Sequence, residues 1–336
     1  MIQAGVIGVG AMGRHHARVY SELDETELVA VADVDPARVE AMARRYRVRP
    51  YTDYREMLAQ ERLDLVSVVV PTQLHREVAL DVVEAGAHLL VEKPIASTVE
   101  DGQAIVEAAA RRGVKLTVGH VERFNPAIIE LKRRLERGEL GRVFAIHARR
   151  MGPFPDWVRD VGVVVDLATH DLDIMRWLLG QTVERVHAET ARHIHASHED
   201  LVSGLLRFAD GTIGVLEVNW LTPTKVRELS VTGEQGMFLV NYLTQELYFY
   251  ENSRADGDWE TLAILTGVGE GNMIRLSIER REPLQAQLAS FVEAIRTDTE
   301  PLVTGADGQA ALVLAEALVE AGQSGTFVYP SGALDV

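Results

Sequence analysis

The first third of the chain alternates short apolar runs, rich in Val, Ile and Leu, with segments in which apolar residues recur at helical spacing. Apolar runs of strand length that are separated by helical segments are typical of a parallel sheet covered by helices on both faces. The pattern therefore predicts an α/β domain with a doubly wound parallel sheet. The predicted strands are 2–7, 28–32, 65–70, 87–91 and 115–118, with the clearest helices at 37–46 and 76–85.

Beyond residue 121 the pattern changes to longer runs in which apolar and polar residues alternate. This alternation predicts a second, α+β domain with a mostly antiparallel sheet and helices on one face. The length of 336 residues is also typical of two domains, which we assign to residues 1–121 and 122–336. Helices are expected at 126–137 and 167–179, from Pro283 onward, and after Asp307, which is expected to cap a last helix that ends at Gly322. Strands are expected at 143–150, 183–194, 201–208, 212–221, 227–232, 236–240 and 246–250.

Charge and composition exclude several classes of protein. The net charge is −16 and Lys and Arg form no long run, which argues against nucleic acid or an anionic membrane surface as a partner. The chain has no cysteine, so disulfide bonds, thiolate metal sites and thiol nucleophiles are excluded. The sequence shows no signal peptide and no apolar stretch of transmembrane length, so we expect a cytoplasmic protein.

A glycine-rich loop, GVGAMG at residues 8–13, follows the first predicted strand and begins a helix. In this position Gly8 permits the tight turn, Gly10 lets the backbone approach a pyrophosphate, and Gly13 lets helix and strand pack closely. The N-terminal end of the helix then faces the phosphates. The loop, which also contains Ala11 and Met12, predicts a dinucleotide site; a glycine-rich turn without a ligand is the alternative.

Asp33 ends the second predicted strand, twenty residues after Gly13. An acidic residue at this spacing accepts hydrogen bonds from both hydroxyls of a ribose. The same carboxylate repels a 2′-phosphate, so NAD is favoured over NADP as the cofactor. Arg38, close by in the sequence, would soften that preference.

The sequence LLVEKP ends the strand at 87–91 with Glu92, Lys93 and Pro94. Ligands of doubly wound sheets bind at the carboxyl ends of the strands. Lys93 is therefore expected to point toward the nicotinamide, with Pro94 fixing the turn. Glu92 is expected to pair with Lys93 or to contact the cofactor. A surface ion pair at a loop is the alternative.

The sequence DLATHDLD places Asp166, His170 and Asp173 at spacings that bring them to one face of a helix. Oxidation of an alcohol by NAD requires a base to take the hydroxyl proton, and the pKa of histidine suits that step. A neighbouring acid orients the ring, and Lys93 holds the developing alkoxide. The alternatives are a metal site and a solvated helix face; because NAD supplies the redox chemistry, no metal is expected.

These motifs resemble those of the Gfo/Idh/MocA oxidoreductases, and the resemblance extends over nearly the whole chain. It includes PTQLHREVA at 71–79, GHVERFNPAI at 119–128 and PLVTGADGQAAL at 301–312. The resemblance implies a Rossmann domain followed by an open-faced sheet that binds sugar or polyol. It also implies NAD(P)-dependent oxidation or reduction at a carbon that bears a hydroxyl.

The resemblance assigns roles to individual residues of this sequence. It implies that Lys93, Asp166 and His170 are catalytic and that Asp173 binds the substrate. Near the nicotinamide side of the cofactor it places Pro71, Thr72 and His75; for His75 a surface position at a helix start is the alternative.

Arg123 and Asn125 lie at the predicted domain junction. We expect Arg123 to reach cofactor or substrate and Asn125 to reach substrate. Capping of the helix that begins at Pro126 is the alternative.

Basic residues of the second domain favour an anionic substrate in a chain of net charge −16. We expect Arg149, Lys225 and Arg227 to bind it, and a diphosphate would suit them. Surface charges at strand ends are the alternative. These cations form two clusters in the sequence, Arg149 and Arg150 with Arg159, and Lys225 with Arg227.

Several segments resemble the subgroup that oxidises the 3-hydroxyl of UDP-N-acetylglucosamine to a 3-keto sugar. They are GHVERFNPA at 119–127, GPFPDWVRDVGVVVDLATHD at 152–171 and NWLTPTKVRELSVTGEQG at 219–236. We therefore expect an NAD-dependent dehydrogenase of that specificity. An inositol or free-sugar dehydrogenase, an enzyme that retains NAD while it cleaves or epimerises a glycoside, and a non-catalytic NAD-binding regulator are the alternatives. The alternating second-domain sheet favours a homodimer or homotetramer.

Overall fold

The computed structural model describes residues 1–155, 161–252 and 270–330. The chain forms two compact units. The first contains Met1–Phe124 and Glu282–Val313, and the second contains Asn125–Arg281 and Leu314–Val336. Packing thus groups Glu282–Val313 with the start of the chain, whereas the sequence analysis assigned it to residues 122–336.

The first unit is built on a six-stranded parallel sheet with the strand order β3-β2-β1-β4-β5-β6. The chain runs outward from β1 in both directions, so the sheet is doubly wound, as predicted. The sequence pattern did not predict β3, which is a three-residue strand at the edge of the sheet. The strands are β1 (Ile2–Ile7), β2 (Thr26–Ala32), β3 (Arg49–Tyr51), β4 (Leu65–Val68), β5 (His88–Val91) and β6 (Leu116–Val118).

Helices cover both faces of this sheet and bury an apolar cluster on each. Local signals set their ends: Asp35 accepts a hydrogen bond from the Ala37 amide at 3.0 Å before α2, and α5 ends at Gly113, with φ at 72°. The helices are α1 (Gly13–Glu22), α2 (Pro36–Tyr46), α3 (Tyr54–Gln60), α4 (His75–Glu84) and α5 (Val99–Arg112), with short 3₁₀ turns at Thr72–Leu74 and Val121–Phe124.

The returning segment completes the first unit with α8 (Pro283–Thr297), which begins at Pro283 as predicted, and the start of α9 (Gly305–Ser324). Asp307 was predicted to cap α9, and this was wrong. Thr304 and Asp307 bond each other's amides at 3.1 and 2.8 Å, so Thr304 is the capping residue and Asp307 lies in the first turn. The helix also continues past Gly322.

The second unit contains an eight-stranded sheet with the order β14-β13-β12-β11-β7-β10-β9-β8. Its strand pairs are antiparallel except for β7 with β10, which confirms the predicted mostly antiparallel sheet. Helices α6 (Pro126–Glu136) and α7 (Thr169–Leu179) contribute to one large apolar core on one face. The strands are β7 (Val143–Met151), β8 (Val183–Ala191), β9 (Leu201–Phe208), β10 (Ile213–Asn219), β11 (Val226–Gly233), β12 (Gly236–Asn241), β13 (Glu246–Asn252) and β14 (Glu270–Arg275).

None of the helices in the described parts of the chain combines the length and the apolar character that a membrane span requires.

Candidate active site

The glycine loop follows β1 and leads into α1, and two of its glycines have no room for a side chain. Gly8 has φ at 87°, and a methyl group on it would overlap the carbonyl oxygen of Val69. A methyl group on Gly13 would overlap the carbonyl oxygen of Gly8. Both positions therefore require glycine because of the fold itself.

Gly10 differs from these two glycines because the space beside it is open. The nearest atom to a methyl group built there is Nη1 of Arg38, at 4.0 Å. Met12 precedes α1 and gives it no side-chain cap, and Ala11 is exposed. The loop thus offers an accessible backbone at an uncapped helix N-terminus, which is the surface that a pyrophosphate requires.

Asp33 connects the end of β2 to the glycine loop. Its Oδ2 accepts the amide of Val9 at 2.8 Å, and its Oδ1 accepts the amide of Asp35 at 3.0 Å. Each carboxylate oxygen has a second lone pair for a ribose hydroxyl. Arg38 is exposed and pairs with Asp35 at 3.2 Å. These residues fit NAD: the loop would hold the pyrophosphate and Asp33 the adenosine ribose.

Glu92 is buried at the end of β5. Its Oε1 lies 3.0 Å from Nε2 of His16, and its Oε2 accepts the amide of Lys93 at 3.1 Å. Burial alone would raise the pKa of Glu92, but the hydrogen bond from His16 and the positive charge of Lys93 outweigh it, so the pKa is lowered. Glu92 thus bonds the backbone amide of Lys93, and its predicted pairing with the Lys93 side chain stays a prediction.

The His75 ring lies between two carbonyl oxygens. Its Nδ1 is 2.9 Å from the oxygen of Pro94 and its Nε2 is 3.0 Å from that of Val70. The residue is 1% exposed, so it is not the surface residue offered as the alternative. His75 connects the end of β4 with the turn after β5, and its predicted contact with the cofactor stays a prediction. Beside it, Pro71 is exposed and Thr72 is half-buried.

Arg123 is 2% exposed and bonded within the first unit. Its Nη2 lies 2.8 Å from Oδ1 of Asp307, and its Nη1 donates to the carbonyl oxygen of Leu302 at 3.2 Å. Burial alone would raise the pKa of Asp307, but the charge of Arg123 and the bonds from Arg123 and Thr304 outweigh burial, so the pKa is lowered. These contacts give Arg123 a structural role, and its predicted contacts with cofactor and substrate stay predictions.

Asn125 caps α6, which was the alternative for this residue. Its Oδ1 accepts the amide of Ala127 at 3.2 Å, and its Nδ2 donates to the carbonyl oxygen of Tyr242 at 3.1 Å. The side chain is 2% exposed. Both its donor and its acceptor are therefore used inside the second unit, and substrate binding by Asn125 stays a prediction.

Asp166 and His170 lie where a π-helical turn, Val164–Ala168, passes into α7. Such turns are rare in proteins as a whole, but where they occur they are often part of a functional site. Oε1 of Glu199 accepts the amide of Val164 at 3.2 Å, which fixes the start of the turn. Asp166 and His170 are half-buried, whereas Asp173 is fully buried. A single exposed helix face would require all three side chains to be equally accessible, and they are not.

Arg149 does not share a sheet face with Arg150, its neighbour in the predicted cluster. It pairs with Glu217 at 3.1 Å and Glu228 at 3.5 Å on the sheet face opposite the core. Its neighbour Arg150 faces the core and bonds Asp171 of α7 at 2.7 Å. Successive side chains of a strand point to opposite faces, so a shift of one residue separates the two arginines.

Lys225 and Arg227 lie together beside Gly152, just beyond the end of β7. A methyl group on Gly152 would lie 3.6 Å from Cγ of Lys225 and 3.9 Å from the guanidinium of Arg227. Lys225 is exposed and Arg227 half-buried. Substrate binding by Lys225 and Arg227 stays a prediction, and Arg159, which was grouped with Arg149 and Arg150, lies outside the described residues.

Two family models match the chain. One, described as "Oxidoreductase family, NAD-binding Rossmann fold", matches residues 2–120, and the GFO/IDH/MocA C-terminal domain matches residues 128–239. The chain belongs to the Gfo/Idh/MocA family. NAD is thereby confirmed as the cofactor.

Characterised relatives agree with this membership. The UDP-N-acetylglucosamine 3-dehydrogenase of Acidithiobacillus ferrooxidans is 28% identical over 314 residues, which cover 94% of this chain and 95% of that protein. Its solved structure superimposes with a TM-score of 0.85 at 27% identity, covering 96% of this chain and 98% of that one.

A second full-length relative acts on a different substrate. The myo-inositol 2-dehydrogenase of Thermotoga maritima is 28% identical over 328 residues, which cover 93% of this chain and 94% of that protein. A levoglucosan dehydrogenase solved with NADH and L-sorbose shares the fold, with a TM-score of 0.87 at 22% identity, covering 98% of this chain and 99% of that one. This Gfo/Idh/MocA protein is therefore an NAD-binding sugar or polyol dehydrogenase that acts on CH–OH groups.

Sequence reasoning missed His16, the buried partner of Glu92. Its Nδ1 lies 3.1 Å from Oγ of Ser67, which lies 2.8 Å from the hydroxyl of Tyr20. The available signal was a His and a Tyr four residues apart among the small and apolar residues of α1. In the described parts of this family member, no three His, Asp or Glu side chains are grouped as a metal site requires.

Proposed function

We propose that the protein oxidises the 3-hydroxyl of UDP-N-acetylglucosamine to the 3-keto sugar with NAD⁺. The observation that carries this specificity is the pair of cations, Lys225 and Arg227, beside Gly152 in a chain of net charge −16. Guanidinium and ammonium groups bind diphosphate oxygens through charge-assisted hydrogen bonds. The similarity to the Acidithiobacillus ferrooxidans enzyme supports the proposal.

In this proposal His170 accepts the proton of the sugar hydroxyl. Asp166 precedes it by one helical turn and stabilises the imidazolium that forms. The ammonium of Lys93 donates a hydrogen bond to the reacting oxygen and stabilises the negative charge that develops there. Bound NAD⁺ supplies a hydride acceptor for the carbon that carries the hydroxyl. Asp173 holds a second hydroxyl of the sugar ring.

The substrate is tested with the purified protein after its cofactor has been removed. NAD⁺ is mixed separately with UDP-N-acetylglucosamine, myo-inositol and glucose, with and without a 2-oxo acid that reoxidises bound NADH, and the absorbance of reduced nicotinamide is recorded. We expect turnover with the nucleotide sugar. Turnover with myo-inositol or glucose alone contradicts the proposed specificity and keeps the dehydrogenase. NADH that forms once and is never released favours an enzyme that retains its cofactor.

The diphosphate contact is tested by Lys225→Ala and Arg227→Ala. Each variant is expected to raise KM for the UDP-sugar by about tenfold, equivalent to about 1.4 kcal/mol, and to leave KM for NAD⁺ unchanged. Arg142→Ala is a matched control, because Arg142 is an exposed arginine of the same unit whose guanidinium pairs with Glu234 at 3.6 Å. A KM for the UDP-sugar that stays at the control value contradicts the contact.

A further inference from the structure

The turn that carries Lys93 is hydrogen-bonded on both sides by side chains from other elements. On the N-terminal side, the amide of Lys93 donates to Glu92, whose second oxygen is 3.0 Å from Nε2 of His16 in α1. On the C-terminal side, the carbonyl oxygen of Pro94 is 2.9 Å from Nδ1 of His75 in α4. A buried histidine thus fixes the backbone before Lys93, through Glu92, and another fixes it after Lys93.

The bonds on the His16 side have one consistent direction. The Glu92 carboxylate only accepts, so Nε2 of His16 donates to it. In a neutral imidazole, Nδ1 of His16 then accepts the hydroxyl of Ser67, and Ser67 accepts the hydroxyl of Tyr20. Burial raises the pKa of Tyr20, which therefore keeps its proton and remains a donor. Every member of this chain of bonds has a partner.

The Glu92 carboxylate has little room to move. A methyl group on Gly119 would lie 2.7 Å from its Oε2. His16 and His75 are 0% and 1% exposed. Burial lowers the pKa of His75, so its ring is neutral and donates from one nitrogen only. The shorter of its two contacts is the one from Nδ1 to Pro94.

We propose that His16 and His75 are positioning residues that fix the direction of the Lys93 side chain, His16 through Glu92 and His75 through the carbonyl oxygen of Pro94. The inference rests on the role of Lys93 in the proposed function. Misplacement of a reacting group by about 1 Å can reduce a rate by about 100-fold, so directional bonds at this turn affect turnover.

The two ring nitrogens of each histidine allow a crossed test. The amide nitrogen of Asn lies near the position of Nδ1, and that of Gln lies near the position of Nε2. His75→Asn therefore keeps the donor to Pro94, and His75→Gln loses it. His16→Gln keeps the donor to Glu92, and His16→Asn loses it.

The first measurement uses the protein without cofactor. Amine labelling with acetic anhydride across a range of pH, followed by peptide mass spectrometry, gives the reactivity of Lys93 relative to Lys132. We expect His75→Gln and His16→Asn to change the labelling rate of Lys93 several-fold and to shift its pH profile. His75→Asn and His16→Gln are expected to stay close to the wild type. Gly119→Ala, which displaces the Glu92 carboxylate, should resemble His16→Asn.

The second measurement is steady-state turnover. The two variants that lose the bond are expected to lower kcat by about 10- to 100-fold and to leave KM for NAD⁺ within about twofold. His88→Asn is the matched control: His88 lies at the other end of β5, and its Nδ1 accepts the amide of Lys115 at 3.0 Å. This control should lower the unfolding temperature and leave kcat and Lys93 labelling unchanged.

Two outcomes overturn the inference. One is that the Asn and Gln variants at each histidine behave alike, with effects that follow their unfolding temperatures. The other is that Lys93 labelling is unaffected in every variant. The proposed function fails separately, if Lys93→Met retains turnover, and the labelling data would still report whether the histidines orient Lys93.

Discussion

The two units place their functional candidates in different ways. In the first, Asp33 and Glu92 follow strand ends, and each carboxylate bonds a backbone amide of the adjoining loop. In the second, Arg149 and Arg150 are consecutive residues within β7 and lie on opposite faces of the sheet. Strand ends bring side chains together at one edge, whereas strand interiors separate neighbours by alternation. A motif at a strand end is therefore a better predictor of a site than two adjacent like charges.

The largest effect is expected at the turn after β5, and it tests whether that turn is important for catalysis. Lys93→Met removes the ammonium and keeps the length of the side chain. We expect kcat to fall by about 10³-fold, equivalent to about 4 kcal/mol in the activation free energy, because one donor to the developing oxyanion is lost. The unfolding temperature should stay the same. Steady-state kinetics with whichever substrate turns over in the test described above, together with a thermal melt, check this; turnover near the wild-type value would remove Lys93 from the catalytic set.

The two faces of β7 give the next contrast. Arg150→Ala leaves Asp171 buried without the bidentate partner that holds it at 2.7 and 3.0 Å, and should lower the free energy of unfolding by about 3–5 kcal/mol. Arg149→Ala removes a partly exposed pair and should cost less than about 1 kcal/mol. Chemical denaturation of the two variants measures the difference. Equal losses would contradict the assignment of the arginines to opposite faces.

Asp307 lies in one of the sequence motifs of the first unit, and a variant of it tests whether that motif position serves stability instead of the active site. The pKa of Asp307 is lowered in the folded state below its unfolded value of about 3.9. The contribution to stability is therefore present above about pH 4 and is lost as the pH falls through the folded pKa. Asp307→Asn should cost about 2 kcal/mol at neutral pH, and the difference from the wild type should shrink in acid. Denaturation curves across pH measure this; a difference that is independent of pH would assign the loss to packing.

The smallest expected effect on kinetics concerns the choice of cofactor. Asp33→Ala removes the charge that repels a 2′-phosphate, and Arg38 beside Gly10 remains. We expect the ratio of kcat/KM for NAD⁺ to that for NADP⁺ to fall by about tenfold, equivalent to about 1.4 kcal/mol. Kinetics with both cofactors measure the ratio. An unchanged ratio would mean that the Asp33 carboxylate serves only to hold the amides of Val9 and Asp35.

The sequence predicted the doubly wound sheet and the mostly antiparallel sheet because strand-length apolar runs and period-two alternation mark them directly. The two regions it missed have no such signal in their residues. β3 is Arg49-Pro50-Tyr51, a short edge strand with a proline and two exposed residues. β14 is also an edge strand.

The bonding partners of the site candidates could not be predicted where they come from distant parts of the chain. Glu92 was singled out, but its partner His16 lies 76 residues away, and spacing gives no sign of that contact. Arg123 and Asn125 were recognised from a motif, but their bonds to Asp307 and Tyr242 depend on how the chain returns. For Arg149 and Arg150, the sequence shows that successive side chains alternate between the two sheet faces. It does not show which of the two arginines faces the core.

The first unit is discontinuous: Glu282–Val313 belongs to it, and Thr117, Val118 and Arg123 bond residues of that segment. On the ribosome, the nucleotide-binding unit therefore stays incomplete until Glu282–Val313 has emerged, after all the strands of the second sheet given above. During that time the sheet formed from the first 124 residues lacks α8, and the apolar surface that α8 covers is open to chaperones and proteases. The second unit, by contrast, has most of its strands synthesised as one continuous segment. Because the core of the second unit also contains Leu314 and Leu318 of α9, neither unit can be completed before the C-terminal helices have been synthesised.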